Sequence, residues 1–316
     1  MTGSAVPSPA LSDADRRRGL VVLMATTFFA WGGFFLVVPL LSVHYVDGLG
    51  WAAAAIGVVL AVRQFLQQGL TTLSGALADK VGAKGLIAAG MAIRAVGFAA
   101  LAWADTYPLL LAATVLAALG GALFDAPKSA AIAALATEAE RPRYFALSGV
   151  VIGVGIALGT QAGALLLRVD FDLVALASGG CYLLIFAMVM LFLPPVAVSQ
   201  GSGGFWHGFG LALHDRRFVT FVSLMAGHWF MSTQFFLTLP LATVALAGTV
   251  EAVAWVTAIN SAVTVLLGYP LPHLLEPRLG AIGSLVLGVA ATAVGLLAIG
   301  FAPGVPALLA AVVLFS

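Results

Sequence analysis

Two arginines, Arg63 and Arg94, interrupt long apolar stretches of this 316-residue chain. A guanidinium keeps its charge and donates five hydrogen bonds, so it suits anions and carbonyl oxygens. If these stretches cross a bilayer, an unpaired arginine at mid-span costs about 2.5–3.5 kcal/mol. We therefore expect both arginines to face a water-filled cavity, with Gln64 and Gln67 extending the polar surface around Arg63. The alternative is a structural contact with carbonyl groups of neighbouring helices.

Carboxylates are scarce in the apolar stretches, and none is predicted at mid-membrane depth. Asp125, near the end of the fourth stretch, is the nearest candidate for proton transfer. It can also be a solvated helix end. His228 lies near the middle of the seventh stretch and can titrate near neutral pH. A single histidine in an apolar span can equally be a packing residue, so both interpretations stay open.

Other polar and aromatic side chains lie deep in the apolar stretches. The amides either line a cavity or bond between helices. The aromatic rings either bind hydrophobic compounds or pack. These candidates are Gln161, Gln234, Asn260, Trp31 and Phe35.

Composition excludes most other classes of protein. Hydrophobic residues make up 62% of the chain and charged residues 9%, whereas a soluble domain carries roughly 25% charged residues. The net charge of +1 says nothing about nucleic acid, but no Lys/Arg-rich groove is visible, so we expect no nucleic acid as a partner. The single cysteine, Cys181, excludes an intrachain disulfide. Without a His-Glu-x-x-His motif or paired mid-span aspartates, we expect no metal, no cofactor and no enzyme activity.

The apolar pattern predicts nine full spans and part of a tenth, because a crossing helix needs about 20 apolar residues. The tenth begins near Val305 and reaches the last residue, Ser316, after about half a crossing. The full spans are predicted at Leu20–Leu41, Trp51–Ser74, Gly85–Ala104, Tyr107–Asp125, Tyr144–Leu167, Leu173–Leu193, Phe218–Leu241, Ala252–Leu271 and Leu279–Phe301.

The basic residues predict the orientation. Their concentration on one side favours a cytoplasmic N-terminus, by the positive-inside rule. The first span is too long for the roughly 7–15-residue core of a signal peptide, so we expect it to be retained. The residues on the predicted inner side are Arg16, Arg17, Arg18, Lys80, Lys84, Lys128, Arg141, Arg143, Arg216, Arg217 and Arg278, against Arg168 outside.

The one long polar connection divides the chain. We predict a cytoplasmic tail at 1–19, a six-helix bundle at 20–193, a linker at 194–217 and an incomplete second bundle at 218–316. A shift of 198 residues (280 − 82) places Arg278-Leu-Gly280 on Lys80-Val-Gly82. A shift of 201 (240 − 39) places Leu239-Pro240 on Val38-Pro39. These matches indicate either parallel repeats or chance.

Glycines recur at four-residue steps in the fifth span, at Gly155, Gly159 and Gly163. Small residues at this spacing let two membrane helices approach closely. We predict a packing face.

A short charged turn from Gly75 to Gly85 joins the second and third spans. Gly82 permits a turn that other residues resist, and Lys80 and Lys84 favour the cytoplasmic side. With Asp79, the stretch resembles the signature G-x-L-x-D-[RK]-x-G-x-[RK] of the major facilitator superfamily. This resemblance implies an all-α membrane fold with two six-helix bundles, of which this chain carries about nine and a half helices. It also implies that Asp125 pairs with Lys80 or Lys84 as a conformational latch.

A longer run narrows the resemblance. The stretch from Gly50 to Ala100, with Arg63-Gln64-Phe-Leu-Gln67-Gln68-Gly69, is similar to MdtH-type bacterial multidrug efflux proteins. Three features depart from the wider family pattern: Ala83 stands at a commonly basic position, 109–124 carries no arginine, and Thr160 replaces a commonly found proline.

The resemblance implies a secondary active transporter of the bacterial inner membrane that exports small amphipathic compounds by alternating access and proton antiport. Its expected partners are a small-molecule substrate, protons and the lipid bilayer, and we expect a monomer. The alternative is a metabolite or organic-anion symporter, because central arginines suit anions better than cationic drugs.

Overall fold

The computed structural model describes residues 11–196, 214, 216–267 and 270–316, which form α-helices and turns with no strand among them. The expectation of an all-α membrane protein is confirmed. The helices are α1 Asp13–Ser42, α2 Ala53–Val81, α3 Ala83–Ala100, α4 Tyr107–Ala122, α5 Asp125–Leu135, α6 Arg141–Leu167, α7 Phe171–Phe192, α8 Arg216–Thr233, α9 Thr238–Ala247, α10 Glu251–Leu267, α11 Pro270–Gly300 and α12 Val305–Phe315. A π-helical turn, Val43–Gly48, continues α1, and 3-10 turns at Leu101–Trp103 and Gln234–Phe236 follow α3 and α8.

Seven helical stretches in the described chain are long and apolar enough to cross a membrane, or eight if one bent pair counts as a single span. They correspond to the predicted spans one to seven and nine. The predicted eighth span is α10, which ends at Leu267; residues 268 and 269 lie outside the described chain. Most of the predicted linker, 197–213 and 215, lies outside it too.

The first helix begins within the predicted polar tail, at Asp13 and not at Leu20. Ser12 caps it by accepting a hydrogen bond from the Asp15 amide, and two aspartates stand in the first turn. Acidic residues stabilise the positive end of a helix. Arg16 Nε donates to the carbonyl of Leu135 at 2.9 Å. We call the end of the molecule at Asp13 and Leu135 the proximal end, and the end where α1 finishes at Ser42 the distal end.

The fourth span is broken and longer than predicted. It continues through Leu123 and Phe124 into α5 and ends at Leu135, so that it covers Tyr107–Leu135. The prediction treated Pro127 as the helix exit, which was wrong. A proline in a first turn loses no helical hydrogen bond, because the first amides of a helix have no partner within it. Asp125 therefore lies inside the span and not at its end.

The seventh span is broken as well, where the prediction had one straight helix. Its two parts, Gly227–Phe236 and Thr238–Ala247, are bent by 42°. Pro240 has no amide hydrogen with which to bond the carbonyl of Phe236. That carbonyl instead accepts a hydrogen bond from the Ser42 hydroxyl of α1 at 3.3 Å. The break therefore provides a polar contact between the two parts of the chain.

The two glycines that the 198-residue shift superimposes share an unusual backbone conformation. Gly82 has φ 84° and ψ 147°, and Gly280 has φ 71° and ψ 170°. Positive φ strains any residue with a Cβ atom. Gly82 separates α2 from α3, and Gly280 marks a kink inside α11. The common geometry favours a true repeat over chance. Pro39 and Pro240 do not match in this way, since Pro39 lies inside α1 and Pro240 follows a helix break.

We divide the helices in chain order into a first group, α1–α7, and a second group, α8–α12. In the first group, α1 packs on α6 and α7, α3 on α4 and α7, and α2 on α4; α10 of the second group packs on α6. The predicted glycine face lies against α1. A Cβ atom on Gly155 would come within 2.8 Å of the Phe28 carbonyl oxygen. On Gly159 and Gly163 it would fall on the carbonyls of Gly32 and Leu36.

Candidate functional site

A cavity of about 320 Å³ lies between the two groups of helices. Five aromatic side chains and seven polar or charged ones are among its walls. The lining residues are Ala30, Trp31, Phe34, Arg63, Gln64, Gln67, Gln68, Arg94, Phe124, Asp125, Lys128, Ile152, Trp229 and Phe236. All come from the first group except Trp229 and Phe236.

Arg63 on α2 is 6% exposed and has only neutral partners among the described side chains. Its Nη1 donates to Gln67 Oε1 at 3.0 Å, and its Nη2 donates to Gln64 Oε1 at 2.7 Å. The guanidinium carbon lies 4.7 Å from the centre of the Phe34 ring. Helical spacing explains the contact with Gln67, one turn away. The Nε atom is buried without a hydrogen-bond partner in the described structure.

Arg94 on α3 is 5% exposed and is surrounded by aromatic rings. Its guanidinium carbon lies 4.8 Å from the ring centre of Tyr182 and 5.6 Å from those of Phe34 and Phe98. Tyr182 is held in place by its hydroxyl, which donates to the Ala30 carbonyl at 2.9 Å. Cation–π contacts stabilise a desolvated guanidinium but leave its charge uncompensated. The Nε of Arg94 is also buried without a partner among the described residues.

Asp125 and Lys128 form the ion pair of the cavity. Lys128 Nζ lies 3.6 Å from Asp125 Oδ1 and 5.2 Å from the Phe124 ring centre. The lysine side chain is 7% exposed and the aspartate side chain 38% exposed. The described ion pair of Asp125 is thus with Lys128, one turn along α5, and not with Lys84. Lys128 was not predicted to line the cavity, although its i,i+3 spacing from Asp125 was a usable signal.

Some of the other predicted cavity residues line the cavity, and some lie outside its lining. Gln64, Gln67 and Trp31 line the cavity, while Phe35 is buried beside Trp31 with ring centres 6.1 Å apart. Four further predictions are not among its lining residues. Gln234 accepts from the Thr238 hydroxyl, and Asn260 Oδ1 accepts from the Ser316 hydroxyl. The other two are Gln161 and His228, whose side chains are half-buried.

The charged turn lies at the proximal end, and its geometry is described in part. Gly75 faces α5, since a Cβ atom there would lie 3.7 Å from the Cβ of Ala126. Asp79 and Lys80 are in the last turn of α2, but their side chains lie outside the described structure. Their predicted contacts therefore stay predictions. Lys84 stands in the first turn of α3, just beyond Gly82.

Packing closes the cavity towards the distal end. Phe34 and Phe236 have ring centres 5.7 Å apart, and Phe35 lies 5.9 Å from Phe235. Further out, Arg168 Nε donates to Glu251 Oε1 at 2.9 Å across the two groups. Towards the proximal side, the lining includes the exposed Gln68 and Trp229, which is 53% exposed.

Apolar helices of membrane-crossing length around a cavity that holds charged side chains are typical of membrane transporters. Residues 23–316 match the profile of the Major Facilitator Superfamily, so the chain belongs to this family of transporters and not to a family of enzymes.

Among similar sequences, the "Multidrug resistance protein MdtH" of Photorhabdus laumondii is 40% identical over 78% of this chain and 61% of its own length. That of Aeromonas salmonicida is 35% identical over 92% of this chain and 74% of its own. The chain thus spans about three fifths to three quarters of the curated relatives that it matches. Among solved structures, the nucleoside transporter NupG aligns with a TM-score of 0.75 at 14% identity, over 94% of this chain and 78% of its own. At that identity the likeness shows the fold alone.

Proposed function

We propose that the chain carries the substrate path of a bacterial inner-membrane transporter that exports small amphipathic compounds by alternating access, in exchange for protons. The observation that carries this proposal is the cavity between the two groups of helices. It combines aromatic walls with charged groups inside membrane spans, and its distal end is closed. Intramembrane charges that face a cavity commonly mark a substrate or ion pathway.

The relatives support the substrate class. Proteins named for multidrug resistance are 35–40% identical to this chain in alignments that cover most of its length. A cavity with several aromatic rings suits compounds that carry flat apolar groups. Asp125 is the carboxylate among the described lining residues and is our candidate for the proton-carrying group.

We assign the proximal end to the cytoplasm, because the basic residues are concentrated there. The conformation with a closed distal end is then inward-facing. The turn around Asp79, Lys80, Gly82 and Lys84 is proposed as the gate at that end. The division into bundles at 20–193 and 218–316, with a linker at 194–217, is part of the same proposal, as is a monomeric state.

Uptake of a metabolite or organic anion by symport is the second candidate, and the two cavity arginines favour it. The direction of coupled flux separates the two. An imposed pH gradient drives protons across the membrane of liposomes that contain the chain. An antiporter then moves ethidium or Nile red in the direction opposite to the protons, and a symporter moves 1-naphthoate in the same direction as the protons. Circular dichroism should first show that the protein in the liposomes is helical. If the flux of all three probes is then independent of the pH gradient, both candidate functions are contradicted.

Cysteine labelling tests alternating access. Cys181 is the one native cysteine of the chain, so Cys181→Ala gives a background without thiols. Into it, Ile152→Cys places a thiol on the cavity wall. We expect reaction with a membrane-impermeant maleimide from the cytoplasmic side, and slower reaction from the outside. Asp79→Asn, which weakens the proposed gate, should change the ratio of the two rates. An unchanged ratio together with unchanged transport would argue against the gate.

A further inference from the structure

Among the described residues, the charges that line the cavity do not balance. They are Arg63, Arg94, Lys128 and Asp125. Since Asp125 is already paired with Lys128 at 3.6 Å, two arginines are left in excess. Within the described part of the chain, neither arginine has a carboxylate at ion-pair distance. The cavity therefore carries an excess of positive charge, on two guanidinium groups whose residues are 6% and 5% exposed.

The partners that the two arginines do have are neutral. Arg63 donates to two amide oxygens, and Arg94 lies among three aromatic rings. Each guanidinium also keeps a buried Nε with no acceptor among the described residues. A buried donor without a partner, and still more a buried charge without a counterion, is costly. A bound anion would provide both the acceptor and the opposite charge.

The geometry indicates one shared subsite. The Phe34 ring lies 4.7 Å from the Arg63 guanidinium carbon and 5.6 Å from that of Arg94, so both cations approach the same ring. A carboxylate or sulfonate can accept two parallel hydrogen bonds from a guanidinium, including one from Nε. Trp31, Phe124 and Trp229 line the same cavity, and they can contact an apolar ring attached to such a group. The volume of about 320 Å³ is at the small end of ligand pockets.

We propose that Arg63 and Arg94 form an anion subsite that selects amphipathic substrates with a carboxylate or sulfonate joined to an aromatic ring. A permanently cationic compound would meet two uncompensated positive charges there and is disfavoured. This inference rests on the proposed function for its physiological meaning. The binding itself can be measured without transport.

Three probes with one ring system and different charges test the proposal: 1-naphthoate, 1-naphthamide and 1-naphthylmethylammonium. Their binding to the purified chain in neutral detergent can be followed by quenching of tryptophan fluorescence, because Trp31 and Trp229 line the cavity. We expect 1-naphthoate to bind about tenfold or more tightly than the amide, since charge-assisted hydrogen bonds are the stronger ones. The ammonium compound should bind most weakly. Equal affinities for the three probes would overturn the proposal.

Substitutions locate the subsite. Arg63→Gln and Arg94→Gln should each weaken 1-naphthoate binding about tenfold and leave 1-naphthamide nearly unchanged. Arg63→Lys, which keeps the charge, should retain part of the preference. Arg168→Gln is the matched control, because this arginine is exposed at the distal end and 60% of its side chain is accessible. The assignment would be contradicted if only Arg168→Gln lost the preference for 1-naphthoate over 1-naphthamide. It would also be contradicted if Arg63→Gln and Arg94→Gln both kept that preference.

Two further controls are needed, one for variants that do not fold and one for binding of a lipid headgroup in place of a substrate. If a glutamine variant does not fold, as judged by size exclusion, the probe series on the unaltered chain still tests the charge preference. An anionic lipid headgroup has the same chemistry as the proposed ligand, so the titration is repeated in nanodiscs with and without phosphatidylglycerol. Competition by the lipid would assign the subsite to a headgroup and overturn a substrate role. If ethidium is transported but no charge preference is found, the subsite fails while the proposed export function stands.

Discussion

The two ends of the interface between the helix groups are built differently. At the distal end, the Phe34–Phe236 ring contact, the Ser42 hydroxyl on the Phe236 carbonyl and the Arg168–Glu251 pair join the groups. Towards the proximal end, the interface holds the cavity and its buried charges. Apolar and hydrogen-bonded contacts thus close one end, while the uncompensated charges lie where water and a ligand can reach them.

This difference explains why a membrane helix can carry Arg63 and Arg94 at all. Between helices in lipid, close packing and hydrogen bonds provide stability without a hydrophobic driving force. Distal packing provides that stability and leaves the proximal half of the interface open for charged side chains. The comparison predicts that distal substitutions damage folding and that cavity substitutions damage binding or coupling.

The largest effect is expected for the glycines that face α1. Gly159→Leu should destabilise the fold by about 3 kcal/mol or more, because the new side chain meets the Gly32 backbone, which cannot move aside as a side chain can. Thermal unfolding in detergent measures it. Gly149→Leu is the matched control on the same helix, since nothing lies within 4 Å of a Cβ atom there. Equal losses in both variants would show that the close contact with α1 is not the cause of the destabilisation.

The second effect concerns the charges of the cavity. Asp125→Asn leaves the buried Lys128 without its carboxylate, and we expect the free energy of unfolding to fall by about 1–2 kcal/mol. The expected loss is moderate because the Asp125 side chain is 38% exposed, so that solvent screens the pair. The double variant with Lys128→Gln should recover part of it. Proton-coupled flux in liposomes should be lost in both variants. Full coupling in Asp125→Asn would remove this residue from the proton pathway.

A smaller effect is expected at the broken seventh span. Ser42→Ala removes the donor to the Phe236 carbonyl, at a cost of about 1 kcal/mol. The distal contact should loosen, and a thiol on the cavity wall should react faster from the outside. Thr292→Ala is a suitable control, because that hydroxyl bonds within its own exposed helix. A slower outside reaction in Ser42→Ala would contradict the role given to this contact.

The smallest effect is expected for the outermost ion pair. Arg168→Glu should raise the rate at which the cavity thiol is labelled from the outside by about twofold to fivefold, which corresponds to the small energy of an exposed ion pair. The double variant with Glu251→Arg should restore the original rate. The pKa of Glu251 is lowered, first by its own backbone N–H and also by Arg168. The stability that ionised Glu251 contributes to the folded protein is therefore fully present above the ordinary carboxyl pKa. It is lost as the pH falls through the lowered pKa of the folded state. High salt should weaken the pair in the same direction.

Much of the fold could be predicted from residue types alone. The apolar runs indicated the crossing helices, and the Gly75–Gly85 pattern indicated the family. The match of Gly280 to Gly82 pointed to a shared backbone conformation, because positive φ strains residues with a Cβ atom. The breaks in the fourth and seventh spans could not be predicted in this way. A proline in an apolar run ends one helix or begins another, and Pro127 and Pro240 are both close to helix starts.

The sequence by itself determined that this is a membrane transporter of the major facilitator superfamily, with two arginines that need a polar environment. Only the tertiary structure decided which polar residues share that environment. It brought Lys128 to Asp125 and both to the cavity, and it gave Gln234 and Asn260 hydrogen-bond partners outside the cavity lining. The physical reason is that lipid is as apolar as a helix interface. Apolar periodicity therefore cannot distinguish the face of a membrane helix that meets lipid from the face that meets another helix.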